Sequence, residues 1–538
     1  MNRNPVIQGL RDGTPIAMGY FAVAFSLGII AVQAGLTAPM GFVSSFFTRA
    51  SAGEYGTYTL IAAGAAWAEI VVMCLVVNLR YMLMSAALSQ KIRPGTAWGH
   101  RLMMALCITD EVFGISVAYP GYTPPAYTYA ATAPMPDGMD EYMLAGFIRS
   151  RRVELVRCLT VDLEVPADAD FVIEGYIDPA EEPVWEGPFG DHTGFYSLPD
   201  WYPRFHVTCI THRRDAVYPA TLVGVPPMED AQIARATERI FLEPLRTAIL
   251  PELVDMHMPD AGTAHNLALI SLQTDAYEGV AYKAMNALWG AGQMMFNKIL
   301  IAFNAEVQLT DYKALAHKAF SCVNPATDFH FGHGIADVLD HAPRTLGIGS
   351  KLLIDATGAE QFTLSAIDPE PISNAIAQAG GELSQSSRQL LQDGLPVAIA
   401  MFERNSTSPA MLHTLQALAQ QPAMQQVVML VAVDKGLPTQ RLDLQAWWTL
   451  ANIDPKRDMV IVPTTEGQRA KVLVDGTRKL PQSDQHTRPW PNPALMDAQT
   501  IAQIDALWPQ LNIGAPIASP SAELHGLNCG NSAEAKLP

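Results

Sequence analysis

Residues 299–328, ILIAFNAEVQLTDYKALAHKAFSCVNPATD, have the pattern of a strand, a loop and a helix. They end in Asn-Pro-x-x-Asp, and the short strand SKLLIDAT follows at 350–357. The same order recurs in residues 428–458, VMLVAVDKGLPTQRLDLQAWWTLANIDPKRD, which end in Asp-Pro-x-x-Asp and precede AKVLVDGT at 470–477. Because the type and order of the elements match twice, the sequence predicts a duplicated α/β unit.

The region upstream of this repeat is rich in strand patterns. Residues 153–166 and 170–178 have the pattern of strands, and residues 204–225 that of a hairpin. An amphipathic helix follows at 230–249. The sequence therefore predicts an antiparallel β domain in front of the α/β domain.

The first hundred residues have a different composition. No charged residue occurs between Gly13 and Thr48, and residues 15–36, 58–79 and 102–119 form long apolar runs. Buried helices of a globular domain are one interpretation, but the length of the runs and their Gly, Ala and Ser content favour membrane helices. We therefore expect an α-helical transmembrane segment in a bacterial inner membrane.

The length, the net charge and the cysteine content limit the class of protein. A chain of 538 residues is too long for one ordinary domain, and its net charge of −18 argues against a nucleic-acid partner. The six cysteines are scattered without a CxxC pair, which is typical of a reduced protein without a thiolate metal site. We expect the region after residue 131 to be cytoplasmic.

The stretch EGPFGDHTG, residues 186–194, places Glu186 and Asp191 on either side of a Gly-Pro-Phe-Gly turn. Two solvated loop carboxylates are the simpler interpretation. The flanking glycines allow close approach of a ligand, and neighbouring aromatic residues lower the local dielectric constant. Two acids in such a place can have different pKa values, so that one keeps a proton and serves as a general acid.

Four motifs together resemble the UbiD family of decarboxylases: EGPFGDHTGFY, VELVRCLTVDLEVPADADFVIEGYI, PMPDGMDEYMLAG and LGIGSKLLIDATGAE. The resemblance covers about residues 131–510. It implies a split β-barrel followed by the α/β domain, and non-oxidative decarboxylation of an aromatic or unsaturated acid, such as a 4-hydroxybenzoate derivative in quinone synthesis. It also implies a prenylated FMN cofactor made by a partner flavin prenyltransferase, and a homo-oligomer.

The resemblance also implies roles for four residues. Glu141 would bind a divalent metal, Mn2+, that bridges to the cofactor phosphate, with K+ as a second ion. Glu186 would belong to an acid–arginine–acid network, and Asp191 would be the proton donor. Lys351 would contact the cofactor phosphate, although Gly-Ser-Lys alone lacks the spacing of a phosphate loop.

Two other features are weaker candidates. His330 and His333 have the spacing of a metal pair, but a loop pair without a third ligand is more often solvated. His192 follows the expected proton donor and is interpreted as a packing residue.

The chain departs from the UbiD pattern upstream of Glu141. The family's metal also takes an Asn and a His, and its acid pair works with an Arg, but residues 1–130 contain no counterpart of these residues. The departure implies weak decarboxylation or none.

Residues 7–130 resemble instead the first half of an AzlC permease, through GLRDGTPIAMGYFAVAFSLGIIAVQAGLT and CITDEVFGISVAYPG. This resemblance implies a branched-chain amino acid exporter subunit with an AzlD-like small partner. Three hypotheses follow, namely a UbiD-type carboxy-lyase, an exporter subunit and an inactive chimera of the two.

The predicted organisation has five parts. They are a truncated AzlC-like segment at 1–130, a UbiD-like β-barrel at 131–260, a UbiD-like α/β domain at 261–365, a second α/β unit at 366–513 and a disordered tail at 514–538.

Overall fold

The protein is described by a computed structural model. It describes residues 30–37, 39–40, 51–62, 65–66, 70, 126–131, 140–218, 220, 222–274, 277, 279–463 and 469–536. The chain divides into two compact units: Met1–Gly175 with Val207–Tyr218, and Tyr176–His206 with Pro219–Pro538.

The helices and strands up to residue 212 are short. In chain order they are α1 (Ser51–Ala62), α2 (Ala126–Ala131), α3 (Glu141–Ile148), β1 (Leu155–Arg157), β2 (Glu164–Pro166), β3 (Phe171–Ile177), β4 (Val184–Glu186), β5 (Phe189–Gly190), β6 (Tyr196–Ser197), β7 (Asp200–Tyr202) and β8 (Phe205–His212).

In the first unit, polar side chains connect the short elements. The carboxylate of Asp168 accepts hydrogen bonds from Tyr127 Oη and Arg149 Nη2, each at 2.6 Å. The carboxylate of Glu174 on β3 accepts hydrogen bonds from the backbone N–H groups of Leu159 and Thr160, at 2.9 and 2.6 Å. These contacts fix the loop between β1 and β2 and the loop that follows β2.

The predicted split β-barrel is not formed by the residues that the structure describes. Their strands occur as separate two-stranded pairs: β1 with β2, β3 with β8, β4 with β7, and β5 with β6. In three of these four pairs, each strand contributes only two or three residues. Such short pairs do not provide the continuous ladder that closes a barrel.

The transmembrane part of the predicted fold is wrong for the part of the chain that the structure describes. None of its helices is long and apolar enough to cross a membrane. Helix α1 has 12 residues, or about 18 Å at 1.5 Å per residue, against a hydrocarbon core of roughly 30 Å. The predicted inner-membrane localisation therefore loses its support as well. The apolar runs 15–36 and 102–119 lie outside the described residues, apart from residues 30–36 of the first run.

The first α/β sheet lies in the second unit. Its elements are α4 (Glu229–Ala248), β9 (Leu253–His257), β10 (Leu267–Leu272), α5 (Val280–Trp289), β11 (Ile299–Asn304), α6 (Tyr312–Cys322), α7 (Pro325–Asp328), β12 (Phe329–Ile335) and β13 (Ile348–Ala356). The strand order is β12-β13-β11-β10-β9. The inner strands β10, β11 and β13 are parallel, and both edge strands run antiparallel to them.

A second sheet follows. Its elements are α8 (Pro369–Gln378), β14 (Gly381–Leu383), α9 (Gln385–Gln392), β15 (Val397–Phe402), α10 (Met411–Ala419), β16 (Met429–Asp434), α11 (Leu442–Asn452), α12 (Pro455–Asp458), β17 (Met459–Val462), β18 (Lys471–Asp475) and α13 (Ala498–Leu511). The order β14-β15-β16-β18-β17 again has three parallel inner strands and two antiparallel edges. The two sheets therefore share one topology, as a duplicated unit requires.

The two sheets contact each other through reciprocal hydrogen bonds. Asn324, which caps α7, accepts a hydrogen bond from the backbone N–H of Ala470 in front of β18, at 3.2 Å. Asp454, at the equivalent position before α12, accepts one from the N–H of Ser350 at the start of β13, at 3.0 Å. Apolar residues of both sheets also belong to one buried core.

The segment 514–538, predicted as a disordered tail, contains some regular structure among its described residues. Pro520–Leu527 forms a 3-10 helix. The side-chain amide of Asn492 donates to the carbonyls of Cys529 and Ser532, at 3.1 and 2.9 Å. These contacts join the terminal segment to the stretch that follows β18.

Candidate functional site

The acidic turn connects two short strands. Strand β4 ends at Glu186, which faces Asp200 of β7 and is exposed. The Gly187–Pro188 peptide bond is cis, and β5 starts at Phe189. Asp191 follows β5 and is half-buried, so the two acids of the turn have different environments.

Asp191 is paired with the next residue. Its Oδ1 accepts a hydrogen bond from the backbone N–H of His192 at 2.8 Å and lies 3.2 Å from Nδ1 of the same residue. The hydrogen bond from His192 lowers the pKa of Asp191, against the opposing effect of burial. Burial acts to lower the pKa of His192, but the hydrogen bond with Asp191 and the charges of Asp337 and Asp230 raise it overall.

A small cavity adjoins His192. It is lined by His192, Met228, Asp230, Met258 and Thr263 among others, and its volume of about 30 Å³ holds roughly one water molecule. Oδ2 of Asp230 is buried without a hydrogen-bond partner in the described structure. Burial, helped by the carboxylates of Asp191 and Glu229, raises the pKa of Asp230.

His265 lies beside His192, with ring centroids 5.0 Å apart and the rings at 70°. It is only 8% exposed, and neither ring nitrogen finds a hydrogen-bond partner among the described residues. Burial and the nearby His192 lower the pKa of His265 to about 4. His265 is therefore a neutral, buried imidazole with a free lone pair.

Asp337 completes a group with the two histidines. One ligand atom from each of His192, His265 and Asp337 lies within 4.8 Å of the others. The sheet explains why the last two meet. His265 precedes β10, and Asp337 follows β12, which runs antiparallel to β13. Both positions therefore fall at the edge where the parallel strands begin.

Lys351 lies on β13 and is not a member of this group. Its Nζ donates to the carbonyls of Met295 and Asn297 at 2.7 and 2.6 Å, and it lies over the ring of Trp289. Burial lowers its pKa to about 8. Lys471 holds the equivalent place in the second sheet, where its Nζ donates to the carbonyl of Met424. The described contacts of Lys351 are thus internal to the fold, and its predicted phosphate contact stays a prediction.

Glu141 is exposed and starts helix α3 in the first unit, whereas Glu186, Asp191 and Lys351 belong to the second unit. Its predicted role as a metal ligand also stays a prediction. The His330 ring nitrogen Nδ1 lies 3.1 Å from the hydroxyl of Tyr282, and neither His330 nor His333 belongs to a described three-residue metal group.

Comparison with known families assigns the segments. Residues 113–226 match the 3-octaprenyl-4-hydroxybenzoate carboxy-lyase Rift-related domain, UbiD, and residues 231–356 match the C-terminal domain of the same family, UbiD_C. Residues 15–136 match the AzlC protein family. The chain joins an AzlC segment to a UbiD segment. The family prediction made from the motifs is confirmed.

The curated relatives are longer than the part that this chain matches. An uncharacterized protein of Archaeoglobus fulgidus is 47% identical over 234 residues, which are 43% of this chain and 48% of that protein. An uncharacterized protein of Helicobacter pylori is 34% identical over 383 residues, 70% of this chain and 59% of that protein. The chain thus spans about half the length of the curated relatives it matches.

Solved structures with partial similarity include a UbiD-class enzyme and a second decarboxylase. The UbiD-class enzyme HmfF from Pelotomaculum thermopropionicum, in complex with FMN, is 29% identical over 45% of this chain and 55% of that chain, with a TM-score of 0.38. Vanillic acid decarboxylase from Sedimentibacter hydroxybenzoicus is 24% identical over 47% and 56%, with a TM-score of 0.40.

The UbiD segment thus contains a group that the sequence did not predict. Asp230, His265 and Asp337 were missed because they are far apart in sequence and belong to no local motif. No predicted strand or motif linked them to His192. His192 was noticed but interpreted as a packing residue, because nothing in the sequence showed which side chains face it.

Proposed function

We propose that the UbiD segment acts as a carboxy-lyase that removes CO2 from an aromatic or unsaturated acid of the 4-hydroxybenzoate type. The match of residues 113–356 to the two carboxy-lyase domains supports the reaction class. The observation that carries the proposal is the position of Asp191, which is half-buried and hydrogen-bonded to His192, a residue that lines the water-sized cavity.

In the proposed reaction, Asp191 supplies the proton that replaces CO2. The bond between the carboxylate carbon and the carbon that carries it breaks, CO2 leaves, and the electron pair of the bond stays on the carbon that carried the carboxylate. The Asp191 carboxylate, which accepts a hydrogen bond from His192 at rest, takes up a proton from water and passes it to that carbon. A positioned acid of this kind typically contributes about 100- to 10,000-fold to the rate.

Glu186 has a supporting place in this proposal. It lies at the end of β4, and the four residues 187–190 separate it from Asp191. We assign it to the acid network of the family, where it would hold a charge near the substrate carboxylate. The side chain of Glu186 is exposed to solvent in the described structure.

Prenylated FMN, with Mn2+ and K+, is the cofactor set proposed for the reaction. A flavin does not fit the cavity beside His192, because about 30 Å³ holds one water molecule whereas ligand pockets measure about 300–1,000 Å³. The amine of Lys351 already donates to two backbone carbonyl groups and lies over a tryptophan ring. We therefore derive no step through the flavin.

The proposed partners follow from the family. A flavin prenyltransferase would supply the cofactor, and the chain would form a homo-oligomer. For the AzlC segment, an AzlD-like small subunit would be the partner in amino acid export. No described contact favours the export function over the carboxy-lyase function, so we propose the carboxy-lyase alone.

The test is CO2 release from 4-hydroxybenzoate by the full chain with prenylated FMN supplied. We expect a slow rate that Asp191→Asn lowers by about 100-fold or more, because the donor loses its proton. Asp200→Asn is the matched control, since Asp200 is exposed and faces Glu186 on the neighbouring strand. Its rate should equal that of the native chain. Equal rates for native chain and Asp191→Asn, or no CO2 release from the native chain, would contradict the proposal.

A further inference from the structure

We propose that His192, His265 and Asp337 bind one divalent transition-metal ion, with Zn2+ as the best-suited ion. One nitrogen or oxygen from each residue already lies within 4.8 Å of the other two. Two imidazoles and one carboxylate form a recurrent ligand set for zinc, with a fourth position left for water. This group is separate from Glu141, the acid to which the family resemblance assigns a metal.

The buried state of His265 is the independent observation that points to a ligand. The residue is 92% buried, and both ring nitrogens lack a hydrogen-bond partner among the described residues. Buried polar groups of folded proteins are almost always paired, because an unpaired one loses its hydration without compensation. A metal ion between His265, His192 and Asp337 would pair one of the two nitrogens.

His192 is oriented for the same purpose. Its Nδ1 lies 3.2 Å from Oδ1 of Asp191. A carboxylate on one imidazole nitrogen fixes the tautomer and leaves the other nitrogen as a metal ligand, an arrangement common around zinc. Asp191 would thus hold His192 in the orientation that the ion requires.

The surroundings provide a place for the fourth ligand. The cavity that borders His192 holds about one water molecule, and its other walls include Asp230 and Thr263. A water molecule in this cavity would complete a four-coordinate ion and accept or donate hydrogen bonds to the wall. The backbone that carries the three ligands belongs to one compact unit, so the geometry does not depend on the first unit.

This inference is independent of the proposed decarboxylation, because it concerns binding of the ion alone. The two proposals are compatible. With an ion on the other ring nitrogen, Nδ1–H of His192 still donates to the carboxylate of Asp191, and the proton of the proposed reaction reaches Asp191 from water.

The experiment titrates Co2+ and Zn2+ into the untagged full chain after removal of metals with a chelator. We expect one equivalent of Co2+ to bind with the visible absorption of a four-coordinate ion, and Zn2+ to displace it. His265→Gln and Asp337→Asn should each weaken binding by at least tenfold. His330→Gln is the matched control, since His330 lies on β12 outside the group, and it should bind like the native chain.

Several outcomes would overturn the inference. They are no stoichiometric binding, binding unchanged in both His265→Gln and Asp337→Asn, or binding lost in Glu141→Gln but kept in His265→Gln. Circular dichroism of each variant distinguishes loss of the site from loss of the fold. If His265→Gln unfolds, the Co2+ spectrum of Asp337→Asn decides, because Asp337 is half-buried and tolerates an amide more readily.

Discussion

Nε1 of Trp447 donates a hydrogen bond to the backbone carbonyl of Thr193 at 2.8 Å, across 254 residues of sequence. Trp447 lies on helix α11 of the second α/β unit, and Thr193 is two residues after Asp191. The ring of Phe195 packs against Trp447 and Trp448, with centroids 5.1 and 5.5 Å away. The second α/β unit therefore holds the loop that carries Asp191.

Trp447→Phe tests this contact. The change keeps the aromatic packing and leaves the buried Thr193 carbonyl without its donor, which we expect to lower the free energy of unfolding by about 1–3 kcal/mol. Denaturant unfolding measures the loss. Trp201→Phe is the control, because Trp201 is exposed on β7, and it should change stability little. Equal effects of the two changes would argue against the contact.

Gly194→Ala tests the same contact from the other side. Gly194 has φ +83°, and a Cβ there would lie 2.8 Å from Cζ2 of Trp447. Gly292 also has positive φ, at +47°, but its Cβ would meet open space. We expect Gly194→Ala to destabilise the chain more than Gly292→Ala, by at least about 1 kcal/mol, since overpacking adds to backbone strain. Equal losses in thermal unfolding would show that the tryptophan ring moves aside freely.

Asp454→Ala tests the contact between the two sheets. The change removes the 3.0 Å hydrogen bond to the N–H of Ser350, and we expect a loss of about 1 kcal/mol in the free energy of unfolding. Asn324→Ala removes the reciprocal contact to Ala470 and should give a loss of similar size. A loss no larger than that of Asp443→Ala, which removes an exposed ion pair with Arg441, would contradict the role of these turns.

Lys351 gives a pH-dependent prediction. Burial lowers its pKa in the folded chain to about 8, from the ordinary value of 10.5. Between about pH 8 and 10.5 the unfolded chain therefore binds more protons at this residue than the folded chain, so its contribution to stability rises with pH in that window. The difference in the free energy of unfolding between the native chain and Lys351→Met should grow from pH 8 to pH 10. A constant difference over this range would show that the amine keeps an ordinary pKa.

The sequence predicted the α/β part well because its signals are local. Apolar strands such as LALISL and the paired Pro-x-x-Asp turns specify each element, and their repetition specifies the common topology of the two sheets. The transmembrane prediction failed for the described residues, because a long apolar run was taken as evidence of one membrane-spanning helix, whereas α1 has only 12 residues.

The candidate site was less predictable. Asp191 and Glu186 were found through a local motif, but their separate environments depend on the pairing of β4 with β7 and on contacts with His192. His265 and Asp337 meet His192 only through the folding of the sheet edge. Their proximity depends on strand order, which no short stretch of sequence encodes.

The central claim is that Asp191 delivers a proton to the carbon that loses CO2. Decarboxylation of 4-hydroxybenzoate in D2O, with prenylated FMN supplied, tests it most directly, with mass spectrometry of the phenol product. We predict one deuterium at the carbon that carried the carboxylate, and formation of this product at least about 100-fold slower in Asp191→Asn. Deuterated product formed at the same rate by the native chain and by Asp191→Asn would contradict the claim.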